Sequence, residues 1–230
     1  MSQAFIVTGT GTDVGKTYFS SLFLAKYAKS HGFKYWKPVQ TGTEEHDDTT
    51  LVKKVTHCDQ SHFLEPLYKF KHPSSPHHSA KKENTEIDLK YLNQSIASVR
   101  EEPVLIEGAG GVFVPLTDTY LSWQWMRESN LKVVVVCSTE LGTINHSLLT
   151  LECLLQRFIP VVGFYMVGPE NELIPSNIES IQKFGGVPCL GETHFPTQKL
   201  EPLEFQQYAN SYFDVDRLLI ESLMDIGDIL

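Results

Sequence analysis

The sequence predicts an α/β fold in three layers, with a mostly parallel central sheet and helices on both faces. Three observations predict it. Apolar runs alternate with stretches of helical periodicity along the chain, with short connections between them. The strand-like runs, Lys132 to Cys137 (KVVVVC) above all, are nearly continuous in apolar residues, as strands covered on both faces require. The first run, Ala4 to Thr8, passes through a glycine-rich loop directly into a helix, which is how a doubly wound α/β unit opens.

That first stretch reads AFIVTGTGTDVGKTY from Ala4 to Tyr18. Gly9, Gly11 and Gly15 let the backbone curl so that N–H groups point inward. The amphipathic helix that follows turns its positive end to the same place. This is the layout of a phosphate-binding loop, or P-loop. Asp13, Val14, Gly15, Lys16, Thr17 and Tyr18 form its nucleotide-binding segment. Lys16 reaches the terminal phosphates and the Thr17 hydroxyl ligates Mg²⁺. The loop is a variant, because Thr10 stands where the usual pattern has glycine and Gly9 comes one place early. An ordinary strand–helix turn also uses glycines. The order of strand, glycines, Lys-Thr and helix favours phosphate binding, which by itself names no reaction.

The remaining elements follow in order. Strands are expected at Phe33 to Lys37, Val104 to Glu107, Lys132 to Cys137, Ile159 to Val167 and Val187 to Leu190. Helices are expected near 16–30, 86–101, 144–158, 172–184 and 214–224. In the third, Ile144, Leu148, Leu151, Leu155 and Phe158 recur at helical spacing and predict one apolar face. The last carries Leu218, Leu219 and Leu223. Lys71 to Asn84 is polar and proline-rich and reads as a surface loop. Trp125 and His146 lie on or beside apolar helices and read as packing residues, with a place in an interface as the alternative.

A chain of 230 residues fits one large α/β domain over 1–230, able to bury on the order of 70% of its unfolded surface. A net charge of −9 argues against nonspecific nucleic-acid or anionic-membrane binding. Cys58, Cys137, Cys153 and Cys189 are far apart and form no CxxC pair, so they read as reduced thiols rather than a disulfide frame or zinc site. The N-terminus enters a core strand without a signal segment, and no apolar run approaches the ~20 residues of a membrane span. The cytoplasm is the expected location.

Ligands of open α/β sheets collect at the carboxyl ends of strands. Glu107 ends a buried strand there, followed by Gly108, Ala109, Gly110 and Gly111. The carboxylate is placed to hold Mg²⁺ directly or through water, and the small residues favour close approach of a ligand. Lys37-Pro38-Val39-Gln40-Thr41-Gly42 leaves the second strand. Lys37 is placed to meet a phosphate or carboxylate, although spacing alone also fits a solvated lysine. Glu44-Glu45-His46-Asp47-Asp48 is an acidic loop that is either solvated or supplies one more oxygen ligand to Mg²⁺. His46 has no ligand-spaced partner for zinc. Leu141 to His146 opens a long helix with Thr143 in position for the N-cap; this is either a plain capped helix or one whose free N–H groups take an anion.

These pieces together resemble the dethiobiotin synthetase family. The resemblance rests on VTGTGTDVGKT, YWKPVQTG, the stretch from Pro73 to Ala80, EGAGGVFVPLTD and LGTINHSLLT, and runs from Phe5 to about Gly191. It implies an ATP-dependent cyclo-ligase of biotin biosynthesis. Such enzymes form the ureido ring of dethiobiotin from 7,8-diaminopelargonate and CO₂, through a carbamate and a carbamic-phosphoric anhydride. The resemblance assigns catalysis to Lys37, Lys16 and Thr12, and Mg²⁺ to Thr17, Asp48 and Glu107, with Asp48 taken over Asp47. Asp48, Glu107, Gly108, Ala109 and Gly110 join the nucleotide site. Thr41 contacts substrate. Gly142, Thr143, Ile144 and Asn145, donated by the second subunit of a homodimer, receive the substrate's carboxylate tail.

The chain departs from the family pattern after Gly163-Phe-Tyr-Met. Val167 and Gly168 stand where many relatives have an Asn-Asp pair that reads adenine, and Gly191 to Pro196 lacks the usual Pro-aromatic-Leu order. Loose or backbone-built base recognition is the expectation. Other readings are a cobyrinate-type amide ligase, for which no glutaminase part is visible, and a regulatory or partitioning ATPase. The latter favours a basic or amphipathic membrane-binding end, whereas the C-terminus, Met224 to Leu230, is acidic and short.

Overall fold

A computed structural model of the chain describes residues 3–44 and 47–224. In chain order the elements are β1 (Phe5–Gly9), α1 (Lys16–His31), β2 (Lys34–Trp36), β3 (Val39–Gln40), α2 (Asp48–Thr56), β4 (Tyr68–Lys69), α3 (Pro76–Lys82), α4 (Leu89–Ser98) and β5 (Val104–Gly111). They continue as β6 (Pro115–Thr117), β7 (Tyr120–Leu121), α5 (Ser122–Ser129), β8 (Lys132–Ser138), α6 (Thr143–Leu155), β9 (Val161–Gly168), α7 (Ile174–Gly185), β10 (Cys189–His194), α8 (Pro202–Tyr212) and α9 (Leu218–Leu223). Glu45, His46 and residues 225–230, which carry part of the acidic loop and the acidic C-terminus, lie outside the described residues.

The central sheet has the order β10-β9-β8-β1-β5-β2 and all its pairs are parallel. Parallel strands need covering on both faces, and the alternation of side chains provides for it. Ile6, Val104, Ile106, Val133 and Val135 meet Leu92, Trp125, Met126, Leu151, Leu154 and Ile181 of α4 to α7. Their chain neighbours Phe5, Val7, Leu105, Val134 and Val136 meet α1, α2, α8 and α9 on the other face. β1 has β5 on one side and β8 on the other, so the strand order reverses there. The crevice at the carboxyl end of that point is where such sheets take ligands.

The sequence expectations need several corrections. α1 is not amphipathic: Phe19, Leu22, Phe23, Leu24 and Tyr27 are all buried, because α1 packs against the sheet, α2 and α8. Burial of each large apolar side chain contributes roughly 1.5–3 kcal/mol, so packing rather than propensity fixes this helix. The loop expected at Lys71 to Asn84 contains α3, with Pro76 in its first turn, where a missing N–H costs nothing. Helices α2, α5 and α8 add to the five expected from periodicity, α5 being the one that carries Trp125. The helix expected over 214–224 is only α9, whose free N–H groups at Leu219 and Ile220 donate to the Asp214 carboxylate at 3.0 and 3.1 Å. α6 buries Ser147, Leu151 and Leu154, whereas Leu155 and Phe158 of the predicted stripe are exposed. Finally, β5 does not end at Glu107 but runs through the glycines to Gly111, which pairs with Gly9. A Cβ on Gly111 would stand 3.3 Å from the Gly9 carbonyl oxygen. The small residues there admit the phosphate loop's own backbone.

Candidate active site

The loop between β1 and α1 holds Asp13 at φ 57° and Gly15 at φ 96°. These left-handed turns bring Lys16 and Thr17 to the first turn of α1. Thr17 Oγ1 lies 2.9 Å from Asp48 Oδ1 and 2.9 Å from Glu107 Oε1. Lys37, just beyond β2, donates from Nζ to Glu107 Oε1 at 3.0 Å and to Asp48 Oδ2. Glu107 is fully buried at 0% exposure. Its other oxygen, Oε2, accepts from Ser20 Oγ at 2.7 Å and Tyr35 OH at 3.2 Å. Asp47 turns elsewhere. Its carboxylate caps α2 by accepting from the Thr50 N–H at 2.9 Å, and Asp48 turns into the site.

Burial pulls the Lys37 ammonium down, but the charges of Glu107 and Asp48 outweigh burial and hold it above the ordinary lysine range. Lys37 is therefore a fixed cation between two carboxylates. Lys16 differs. Burial lowers it to about 8, offset only in part by Glu107, and its Nζ donates to the Gly11 carbonyl at 2.6 Å. Burial and the Glu107 charge raise the Tyr35 phenol well above its usual value, so it stays protonated and donates. Thr17 Oγ1, Asp48 Oδ1 and Glu107 Oε1 converge as hard oxygen donors next to a cation already in place. That donor set fits Mg²⁺, which takes few protein oxygens and keeps waters. Among the described residues no group of three or more His, Cys, Asp or Glu is arranged for a metal, so a zinc-type set is not present there.

A cleft of about 770 Å³ lies over this cluster. Asp13, Gly15, Tyr18, Thr41, Ala109 and Gly110 are among its walls, and the loop from Pro73 to Pro76 forms another. Val14, Glu107 and Gly108 do not line it, and Glu107 meets the site through Thr17 and Lys37 beneath its floor. Val14 packs where a Cβ on Gly9 would stand, and Gly108 lies against Trp125 and Met126. A second, mostly apolar cleft of about 650 Å³ runs along Val112, Phe113, Leu149 and Cys153. Thr12 lines both clefts and marks their junction.

The AAA_26 family, described as an AAA domain, matches residues 3–199. A protein of Leptospira interrogans called ATP-dependent dethiobiotin synthetase is 40% identical over 215 residues, covering 93% of this chain and 96% of its own. Proteins of the same name from Brucella anthropi and Paramagnetospirillum magneticum are 37% and 41% identical. They cover 94% and 83% of this chain and 97% and 87% of their own lengths. The chain belongs to the dethiobiotin synthetase family. Its fold extends beyond that family. The MinC:MinD cell division complex of Aquifex aeolicus matches with a TM-score of 0.59 at 10% identity, covering 96% of this chain and 97% of that one. A ParA family ATPase from Chlorobium tepidum matches at 0.53 and 13%, covering 97% and 95%.

Of the residues that the resemblance to dethiobiotin synthetases assigns, Thr12, Lys16, Thr17, Lys37, Thr41 and Asp48 gather in one cleft. Gly142 to Asn145 are not among its walls. Thr143 is not the N-cap of α6: Gly142 holds that position at φ 95°, and the Thr143 hydroxyl donates to the Ser138 carbonyl at 2.6 Å. Gly142 and Asn145 are exposed and so is Leu141, at 96%. The helix start thus opens to the surface. Trp125 packs in the core as expected, but His146 is exposed beside the apolar cleft.

Sequence reasoning missed Ser20 and Tyr35. Their positions carried a signal: Ser20 follows Thr17 by three on a helix, and Tyr35 precedes Lys37 by two in an extended run, spacings that place each pair on one face. Val167 and Gly168, the departure from the family pattern, are both occupied locally. Val167 Cγ1 lies 2.6 Å from where a Gly15 Cβ would stand. A Cβ on Gly168, at φ 154°, would meet Thr139 Oγ1 at 2.3 Å.

Proposed function

We propose that residues 1–230 form one ligase domain, acting in the cytoplasm as an ATP-dependent cyclo-ligase that makes dethiobiotin. 7,8-Diaminopelargonate and CO₂ give a carbamate as one amine nitrogen bonds to the carbon and loses a proton. A carbamate oxygen bonds to the γ-phosphorus while the bond to ADP breaks. The second amine nitrogen then bonds to the carbonyl carbon, phosphate leaves with the bonding pair, the amine loses a proton and the ring closes. The single observation that carries this reading is the convergence of Lys16, Lys37, Thr17, Asp48 and Glu107 beneath a cleft that meets an apolar one at Thr12, in a chain related over most of its length to proteins of that name.

Lys37 and Lys16 bracket the carbamate and the γ-phosphate. Charge stabilisation of this kind is the main term in phosphoryl transfer. Asp13, Gly15, Lys16, Thr17, Tyr18, Ala109 and Gly110, which line the cleft, hold the nucleotide. Thr17, Asp48 and Glu107 hold Mg²⁺, which when bound neutralises charge on the phosphate oxygens. Thr12 lies beside the carbamate and Thr41 contacts the substrate. Ring closure needs no dedicated base, since holding the amine near the activated carbonyl supplies several kcal/mol. The carboxylate tail sits at Gly142, Thr143, Ile144 and Asn145 of a second copy, which makes the enzyme a homodimer with two symmetric sites. The open start of α6 and the exposed Phe113 and Leu149 beside the apolar cleft favour that arrangement.

The likeness to ParA and MinD is a likeness of fold at 10–13% identity and does not favour a partitioning role. The testing experiment is substrate dependence. Phosphate release from Mg²⁺–ATP should require both diaminopelargonate and bicarbonate, and release that ignores them contradicts the reading.

A further inference from the structure

Glu107 presents two differently engaged oxygens. Oε1 faces the Thr17 hydroxyl and the Lys37 ammonium. Oε2 is held by Ser20 Oγ at 2.7 Å and Tyr35 OH at 3.2 Å. These two donors sit on rigid ground. Ser20 is fully buried in the second turn of α1, and Tyr35 is fully buried in the middle of β2, its ring edge-on to Phe63. Both are fully buried and neither lines the cleft.

We infer that Ser20 and Tyr35 are positioning residues that clamp Oε2 of Glu107 and so fix Oε1 as a ready-made ligand of the Mg²⁺ site. The inference rests on the proposed metal role of Thr17, Asp48 and Glu107. A carboxylate without such a clamp rotates and offers its oxygens to Lys37, Thr17 and water in turn. A clamped one leaves only Oε1 to exchange its partner, so Lys37 can withdraw from Oε1 without the carboxylate following it. Partners of metal ligands act through orientation, and their loss weakens metal binding while the ligands themselves stay in place.

Tyr35→Phe removes the hydroxyl and keeps the buried ring, and Ser20→Ala removes the other donor. Binding of a fluorescent ATP analogue is titrated against Mg²⁺ and, separately, in EDTA, with melting temperature recorded for each protein. For each variant the Mg²⁺ concentration giving half-maximal nucleotide tightening should rise about tenfold or more, the usual loss for such partners. Affinity in EDTA should stay within about twofold, since both hydroxyls are buried and neither lines the cleft. Unchanged Mg²⁺ dependence in both variants, with the wild type Mg²⁺-dependent, overturns the clamp alone. Equal weakening with and without Mg²⁺ also overturns it and assigns the two hydroxyls a structural role. A wild type with no Mg²⁺ dependence overturns the metal site and the clamp together.

Discussion

Lys37 Nζ lies 3.0 Å from Glu107 Oε1 and also donates to Asp48, so one buried ammonium closes the gap between two carboxylates that arrive from different parts of the chain. Truncating one partner of a buried pair leaves the rest uncompensated. Lys37→Gln should therefore lower stability in EDTA by about 3–5 kcal/mol, and by less in Mg²⁺. Nucleotide binding should stay nearly intact, because the loop backbone and Lys16 remain. Turnover should fall by orders of magnitude, roughly 10²–10³-fold, the range for losing one charge-stabilising donor. Steady-state rates and nucleotide titrations check this, and unchanged turnover would remove Lys37 from the mechanism.

The lowered Lys16 predicts a proton uptake. In the free protein its pKa is about 8, and the ammonium is the form that attracts phosphate. Below that pH the lysine is charged before and after binding, so affinity does not depend on it. As pH rises through 8 the free protein loses the proton and the complex keeps it. Affinity should then fall by up to about tenfold per unit, with uptake approaching one proton per nucleotide. Calorimetry at pH 9 in buffers of different ionisation heat measures the uptake, and none at all would contradict the shift.

Val167 is packed against Gly15, and Gly168, where many relatives carry the second residue of an adenine-reading pair, has no room for a side chain. An amide that reads adenine is worth roughly 1–3 kcal/mol of discrimination. Its loss predicts near-equal kinetics with ATP, GTP and CTP, measured as kcat/KM for each. A strong ATP preference would mean that other groups read the base.

Asp214 supplies a test away from the site. It is buried and accepts from Tyr27 OH at 2.6 Å as well as from the N–H groups of Leu219 and Ile220. Asp214→Ala leaves those donors unsatisfied and should cost about 2–4 kcal/mol in denaturant unfolding, with nucleotide affinity unchanged. A loss below 1 kcal/mol would mean that water replaces the carboxylate.

The central sheet was legible because parallel strands must be apolar on both faces, and KVVVVC or VLIE fit little else. The phosphate loop was legible because its glycines, Lys16 and Thr17 are contiguous. Short helices were harder to see. α2 and α3 are held by a capping Asp47 and by Pro76 rather than by a long apolar stripe, and α6 carries more leucines than it buries. Glu107 drew attention as a strand-end acid, but its partners Ser20 and Tyr35 are 87 and 72 residues away in the chain. Only the parallel pairing of β2 with β5, and α1 laid across them, brings those hydroxyls to one carboxylate.

The measurement that tests the account most directly is product identification with ¹³C-bicarbonate. Purified protein, Mg²⁺, ATP and 7,8-diaminopelargonate should yield a cyclic urea carrying the label in its carbonyl, with ADP and product formed in equal amounts. ADP release without labelled urea, or nucleotide binding with no turnover at all, would contradict the ligase reading and leave only a phosphate-binding fold.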